Sequence, residues 1–144
     1  MDVSRQVNRY LVLSGLLNTI AAILHLGCIY FGASWYRLFG AGEEMALMAE
    51  QGSNYPTIIT FAIFSVLFIW ALYCFSAAGL IKKLPFTKFV LVLITSIYFI
   101  RGFIGFIFIF MPIGRSSEFW FWSSFICITF GVCHALALKT MDKH

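Results

Sequence analysis

The chain has 144 residues, of which 61% are hydrophobic and only 11% are charged. Soluble domains carry roughly 25% charged residues, so this sequence has too few polar side chains to cover a surface that faces water. The formal net charge of +4 does not indicate a nucleic-acid partner, because most basic residues occur in small clusters at the ends of apolar segments. These proportions exclude a soluble domain and predict that the lipid bilayer surrounds most of the chain.

Four apolar segments are each long enough to cross a membrane as a helix. We predict spans at about residues 10–33, 56–80, 86–111 and 119–138, because roughly 20 residues at about 1.5 Å per residue cross the hydrocarbon core. Pro56 is suited to the first turn of the second span. The predicted fold is therefore an all-α membrane protein, a single domain formed by a four-transmembrane-helix bundle.

The distribution of charge predicts how the bundle is oriented. Basic residues cluster at both termini and in the loop 81–88, and cytoplasmic loops carry an excess of Lys and Arg. We therefore predict that both termini are cytoplasmic (N-in, C-in). We expect residues 34–55, between the first two spans, to form a short amphipathic segment at the outer side.

Two charged or titratable residues inside the apolar spans suggest a site. Counting from the cytoplasmic end places His25 in the first span and Arg101 in the third at about the same height, roughly 22 Å up. Tyr98 lies one turn below Arg101, and Asn18 lies two turns below His25, where it is expected to make an interhelical hydrogen bond. Ionisable residues inside a membrane usually face the bundle interior, so both spans are expected to present a polar stripe there.

Arg101 stays charged whatever surrounds it, so its burial calls for a carboxylate partner. Glu43 and Glu44 in the outer segment are the nearest candidates. We therefore predict an outward-facing polar pocket with a set of candidate residues, namely His25, Arg101, Tyr98, Glu43 or Glu44, Asn18 below them, and Tyr55 or Arg37 at the rim. An arginine in such a cleft suits a carboxylate or phosphate, so we expect a small anionic or lipidic ligand and a binding, transport or accessory role.

Two alternatives remain open. The protein could be a structural or assembly partner in a membrane complex, or a homo-oligomer, in which the pairing of Arg101 with a glutamate is purely structural. It could also be a membrane-embedded enzyme that acts on a lipid-soluble substrate, with His25 and Glu43 or Glu44 as general acid and base.

The other histidine within the spans and the cysteines predict no cofactor or metal site. His134 is expected about four residues from the cytoplasmic end of the fourth span, about 15 Å below His25, so the two cannot share a metal or haem iron. Ser124 and Gly131 share a face with His134, which indicates a small-residue packing seam. The four cysteines all lie in apolar runs and are interpreted as packing residues.

The run from His25 to Gly40, followed by Gln51-Gly-Ser-Asn-Tyr55, resembles small uncharacterised four-helix inner-membrane proteins of bacteria. Those proteins have a histidine late in the first span, a Trp…Arg…Phe-Gly segment and a Gln-Gly…Asn sequence before the second span. The resemblance covers about residues 25–55. It implies a four-helix bundle in a bacterial inner membrane, and it implies no particular activity.

Overall fold

The computed structural model describes residues 8–142, which form six helices. Four of them, α1, α4, α5 and α6, have the length and the apolar composition needed to cross a membrane. Within the described residues this confirms the predicted all-helical fold with four helices that could be spans. Arg5 and Lys143, two of the basic residues at the termini, lie outside the described residues. The helices are α1 (Arg9–Phe31), α2 (Ala33–Leu38), α3 (Glu43–Glu50), α4 (Tyr55–Ala77), α5 (Thr87–Phe108) and α6 (Ser117–Met141).

The long helices alternate in direction, so the bundle has two different ends. The terminal end carries the start of α1, the α4–α5 loop and the end of α6; the cap end carries α2, α3 and the α5–α6 loop. Asn8 fixes the terminal end. Its side-chain oxygen accepts from the N–H groups of Tyr10 and Leu11 at 3.1 and 3.3 Å, which caps α1. Its amide donates to Thr140 Oγ1 at 2.6 Å, which ties α1 to α6.

The four spans are arranged as two closely packed pairs. α1 packs mainly on α4, and α5 packs mainly on α6, while α1 also touches α6 and α4 touches α5. The helices α1 and α5 are therefore diagonal across the bundle. The main apolar core lies between the pairs, and a smaller one lies under the cap, where Cys28, Tyr36 and Ala46 are buried. Outside these cores, large apolar side chains such as those of Ile58 and Phe103 are exposed, as a bilayer requires.

Glycines allow α5 and α6 to approach closely. A Cβ on Gly102 would lie 2.6 Å from Ile128 Cδ1, and a Cβ on Gly105 would overlap Ser124 Oγ. These two glycines therefore bring α5 into close contact with α6. On α6, the Cβ position of Gly131 lies 3.2 Å from the Phe99 ring, which makes its face a packing seam against α5.

Candidate functional site

Each of the four long helices contributes one side chain to a buried polar network. Tyr98 O–H donates to Asn18 Oδ1. The amide of Asn18 donates to the carbonyl of Ser14 at 2.9 Å and lies 3.1 Å from His134 Nε2. Cys74 Sγ is 3.4 Å from the same nitrogen. The interhelical hydrogen bond predicted for Asn18 is therefore confirmed, but it joins α1 to α5 and α6 at once.

The backbone fixes the roles of the atoms in this network. His134 Nδ1 lies 2.8 Å from the carbonyl oxygen of Phe130, which can only accept, so Nδ1 carries the proton. In a neutral imidazole the other nitrogen is then an acceptor, and Nε2 accepts from the Asn18 amide. Asn18 and Cys74 have no exposed surface and His134 has 1%. The network is thus a closed centre that holds the helices together, and Asn18 and Tyr98, which were predicted for the pocket, belong to it.

Arg101 points away from this centre, toward α6. Its Nη2 donates to Ser123 Oγ at 3.2 Å, and its guanidinium carbon lies 4.9 Å from the centre of the Trp120 ring, within cation–π range. The predicted ion pair between Arg101 and Glu43 or Glu44 is wrong, since none of the ion pairs within residues 8–142 includes Arg101. The reason is that α5 packs on α6, so Arg101 meets side chains of α6. Glu43 is paired instead with Arg37 of α2.

His25 is also not brought to Arg101. Its Nδ1 lies 2.7 Å from the carbonyl oxygen of Ala21 in its own helix, and α1 and α5 are diagonal in the bundle. Glu44 and Tyr55 are exposed at the cap end. The residues predicted to form one pocket therefore lie in separate places.

Arg37 holds both ends of α3. Its Nη2 donates to Glu43 Oε1 at 2.6 Å and its Nη1 donates to Glu50 Oε1 at 2.6 Å. Glu43 is the first residue of α3, where the helix dipole favours a negative charge, and Glu50 is the last, where the dipole opposes one. The positive charge of Arg37 offsets the unfavourable interaction between Glu50 and the helix dipole. Its hydrogen bonds hold the pKa of Glu43 below the ordinary value, and they raise the pKa of Arg37.

An open cleft of about 520 Å³ lies at the cap end, between the α2–α3 turn and the start of α6. Its lining combines charged residues with glycines, and consists of Arg37, Gly40, Gly42, Glu43, Gly114, Arg115 and Ser116. Two residues predicted for the pocket, Arg37 and Glu43, are thus found in one cleft, but with different neighbours from those expected.

Arg115 is the cleft residue that sequence reasoning missed. Its Nη1 donates to the carbonyl of Gly114 at 2.7 Å, and its guanidinium carbon lies 5.9 Å from the centre of the Phe119 ring. Gly42 leaves room for it, because a Cβ there would lie 2.9 Å from Arg115 Nη1 and the backbone φ of Gly42 is +99°. The available signal was the position of Arg115, directly before the serine that caps α6.

Within residues 8–142, no group of three or more His, Cys, Asp or Glu side chains is placed to hold a metal ion. Comparisons of the chain with protein-family models, with curated proteins and with solved structures find no match. The chemistry of the cap-end cleft and of the polar groups in the spans is therefore the basis on which a function can be assigned to this chain.

Proposed function

We propose that this multi-pass membrane protein binds a small anionic ligand, a free phosphate or the phosphate headgroup of a lipid, in the cap-end cleft. The observation that supports this proposal is the lining, which brings two guanidinium groups, Arg37 and Arg115, together with one carboxylate, Glu43. Guanidinium groups present a planar set of donors that matches phosphate and carboxylate oxygens. Glycines at three lining positions leave the cleft wide.

The two arginines have different roles in this proposal. Arg37 is engaged by Glu43 and Glu50, so it holds the wall of the cleft in place. Arg115 takes part in none of the ion pairs within residues 8–142, and its one recorded acceptor is a neutral carbonyl. Its remaining donors are the groups that would contact the anion.

The same proposal includes the side of the membrane on which the cleft lies. Residues 25–55 resemble a segment of bacterial inner-membrane proteins, and the positive-inside rule favours the outer side for the cap end. Trp35 and Trp122 lie at this end, at the level where aromatic side chains meet the headgroups. A ligand would then reach Arg115 from the outer face or from the outer leaflet.

Binding of phosphate probes to an Arg115→Gln variant tests the proposal. The purified protein in a nonionic detergent is titrated with inorganic phosphate and, separately, with dihexanoyl phosphatidic acid, and binding is followed by tryptophan fluorescence. A hydrogen bond to a charged group contributes about 1.5–3 kcal/mol, so we expect the affinity to fall at least about tenfold.

Lys83→Gln is the matched control, because it removes one positive charge at the terminal end. We expect it to bind as the parent does. Equal affinities of Arg115→Gln and Lys83→Gln for both probes would exclude the cleft as the anion site.

The enzymatic alternative gains nothing from this geometry. Glu43 accepts hydrogen bonds from Arg37 with both carboxylate oxygens, and His25 is bonded within α1. Each of these two side chains has a partner of its own, and no contact between them is recorded within residues 8–142.

A further inference from the structure

Three buried polar atoms between α5 and α6 have no hydrogen-bond partner within residues 8–142, namely Arg101 Nη1, Trp120 Nε1 and Ser124 Oγ. Buried polar atoms in native proteins are almost always paired. These three lie together. Arg101 Nη1 is 2.6 Å from the Cβ position of Gly105, Ser124 Oγ overlaps that same position, and the Arg101 guanidinium carbon is 4.9 Å from the centre of the Trp120 ring.

The path of the Arg101 side chain carries its charge toward the cap end of α5. Helical side chains normally lean toward the N-terminus of their helix, yet Arg101 Nη1 reaches Gly105, one turn further toward the cap end. This is the direction taken by an arginine that extends its charge toward the headgroups. Gly105 lies three residues before the end of α5 at Phe108, so the guanidinium is about 4.5 Å below that end.

Gly105 is what makes the cluster possible. Any side chain there would collide with both the guanidinium of Arg101 and the hydroxyl of Ser124. The absence of a side chain at Gly105 thus leaves a slot between α5 and α6, in which the guanidinium of Arg101 lies. The neighbouring hydroxyl group, that of Ser124, has no exposed surface.

The unpaired groups are mainly donors. The guanidinium and the indole N–H can only donate, and a hydroxyl can donate or accept. The one hydrogen bond recorded for Arg101 is to a serine hydroxyl, so no carboxylate within residues 8–142 neutralises it. An anionic oxygen is the group that would satisfy all three atoms, and phosphate is the anion that membranes supply at this depth.

We propose that Arg101, Trp120 and Ser124 form a second binding site, for a phosphoryl oxygen, whose source is a membrane phospholipid. None of these three residues lines the cap-end cleft, so the site does not depend on the anion binding proposed for that cleft. The three unpaired atoms are themselves covered, whereas other parts of Arg101 and Trp120 are exposed, so a headgroup would approach the slot along the exposed parts of these two side chains.

Lipid retention measured by native mass spectrometry tests this site. The parent protein and its variants are purified with dioleoyl phosphatidylglycerol or with dioleoylglycerol, which has the same acyl chains and no phosphate. We expect the parent to retain the phospholipid and not dioleoylglycerol. Trp120→Phe removes the N–H donor and part of the ring but keeps an aromatic face beside Arg101. Ser124→Ala removes only the hydroxyl, and each variant should lower retention severalfold. Arg101→Gln should lower it about tenfold or more.

Two controls make the result decisive. Trp122→Phe changes an exposed tryptophan on the same helix and should retain lipid as the parent does. Should Arg101→Gln fail to fold, Trp120→Phe and Ser124→Ala still decide. The site is overturned if Trp120→Phe and Ser124→Ala both retain as much phospholipid as Trp122→Phe does. It is also overturned if the parent retains phosphatidylglycerol and dioleoylglycerol equally. Loss in Arg115→Gln alone also overturns it and assigns the lipid to the cleft.

Addition of millimolar inorganic phosphate distinguishes the two sources of a phosphoryl oxygen. If phosphate does not displace phosphatidylglycerol from the parent, the occupant is the lipid, as proposed. Displacement that depends on Trp120 and Ser124 supports the phosphoryl site but makes the free ion its occupant.

Discussion

Asn18 is the residue through which all four spans are connected. Its oxygen accepts from Tyr98, and its amide donates to Ser14 and faces His134 and Cys74. Lipid tails give helices no hydrophobic reason to associate, so interhelical packing and hydrogen bonds must do so. A side chain that meets three other helices therefore contributes to their register as well as to stability.

Removal of the Tyr98 hydroxyl is expected to destabilise the bundle. Tyr98→Phe leaves the Asn18 oxygen buried without its donor, while the aromatic contacts with Trp70 and Phe130 are kept. Net hydrogen-bond contributions are about 0.5–1.5 kcal/mol in soluble proteins and average about 0.6 kcal/mol in a membrane bundle. We expect the free energy of unfolding to fall by about 1 kcal/mol, measured by titration with sodium dodecyl sulfate in mixed micelles.

Tyr73→Phe provides the control for this measurement. Tyr73 is partly buried on α4 beside the same core, and no hydrogen bond of its hydroxyl is recorded within residues 8–142. Its substitution should leave the unfolding free energy nearly unchanged. If the two variants unfold alike, the hydrogen bond between Tyr98 and Asn18 does not stabilise the bundle.

The polar residues inside the spans could be recognised from the sequence, but their partners could not. The predicted fourth span puts His134 four residues from its end, whereas α6 continues to Met141 and His134 lies seven residues inside it, about 4.5 Å deeper. That shift brings it to the level of Asn18. The predicted meeting of His25 and Arg101 failed for another reason. Residue counting gives depth but not which helices are neighbours, and α1 and α5 proved to be diagonal.

Among the elements, α3 depends most on a single side chain from outside it. A helix of eight residues is too short to be stable alone, and α3 has Gly42 rather than a side-chain cap at its start. Arg37 bridges its first and last residues, and Ala46 on its inner face is fully buried. The wall of the cap-end cleft therefore depends on the ion pair between Arg37 and Glu43.

This dependence predicts that α3 loosens at low pH. Arg37 holds the pKa of Glu43 below its ordinary value of 4.5. A carboxyl group with a depressed pKa in the folded state stabilises that state above the ordinary pKa, and the contribution is lost as the pH falls through the lowered value. We expect amide exchange in α3, corrected for its intrinsic pH dependence, to accelerate as the pH falls below about 4.5, measured by hydrogen exchange with mass spectrometry.

Glu43→Gln is the variant that isolates this effect. It cannot titrate at this position, so its α3 amides should be less protected at neutral pH and should show little further change on acidification. An identical pH profile in the parent and in Glu43→Gln would mean that Glu43 does not hold the helix.

The long helices were predictable because a bilayer demands uninterrupted apolar runs of a fixed minimum length. Their ends were less so. The predicted fourth span begins at Phe119, although Ser116 caps the helix by accepting from the N–H of Phe119 at 3.1 Å, and Glu118 lies in its first turn, as a helix start favours. The cap-end cleft could not be predicted from the sequence, because it is formed where the α2–α3 turn meets a loop some 70 residues away.

At the scale of the whole molecule, charge differs sharply between the two ends. The terminal end carries the basic residues Arg9, Lys82, Lys83, Lys88 and Lys139. The acidic residue Asp142 also lies there and forms an ion pair with Lys88. The cap end carries two arginines and four glutamates, namely Arg37, Arg115, Glu43, Glu44, Glu50 and Glu118. Because positive residues are retained on the cytoplasmic side, this asymmetry favours one orientation.

Cysteine labelling in intact bacterial cells expressing the protein tests that orientation. Ser53 lies exposed in the α3–α4 loop at the cap end, and Leu80 lies exposed in the α4–α5 loop at the terminal end. We expect Ser53→Cys to react with a membrane-impermeant maleimide added outside, and Leu80→Cys to react only after the inner membrane is permeabilised. Neither substitution changes the charge that sets the orientation. The parent sets the background, since its four cysteines lie within the spans. The reverse pattern would place the cap end in the cytoplasm, so that Arg115 would meet its anion there, and would show that the lysine-rich end does not determine the insertion of this bundle.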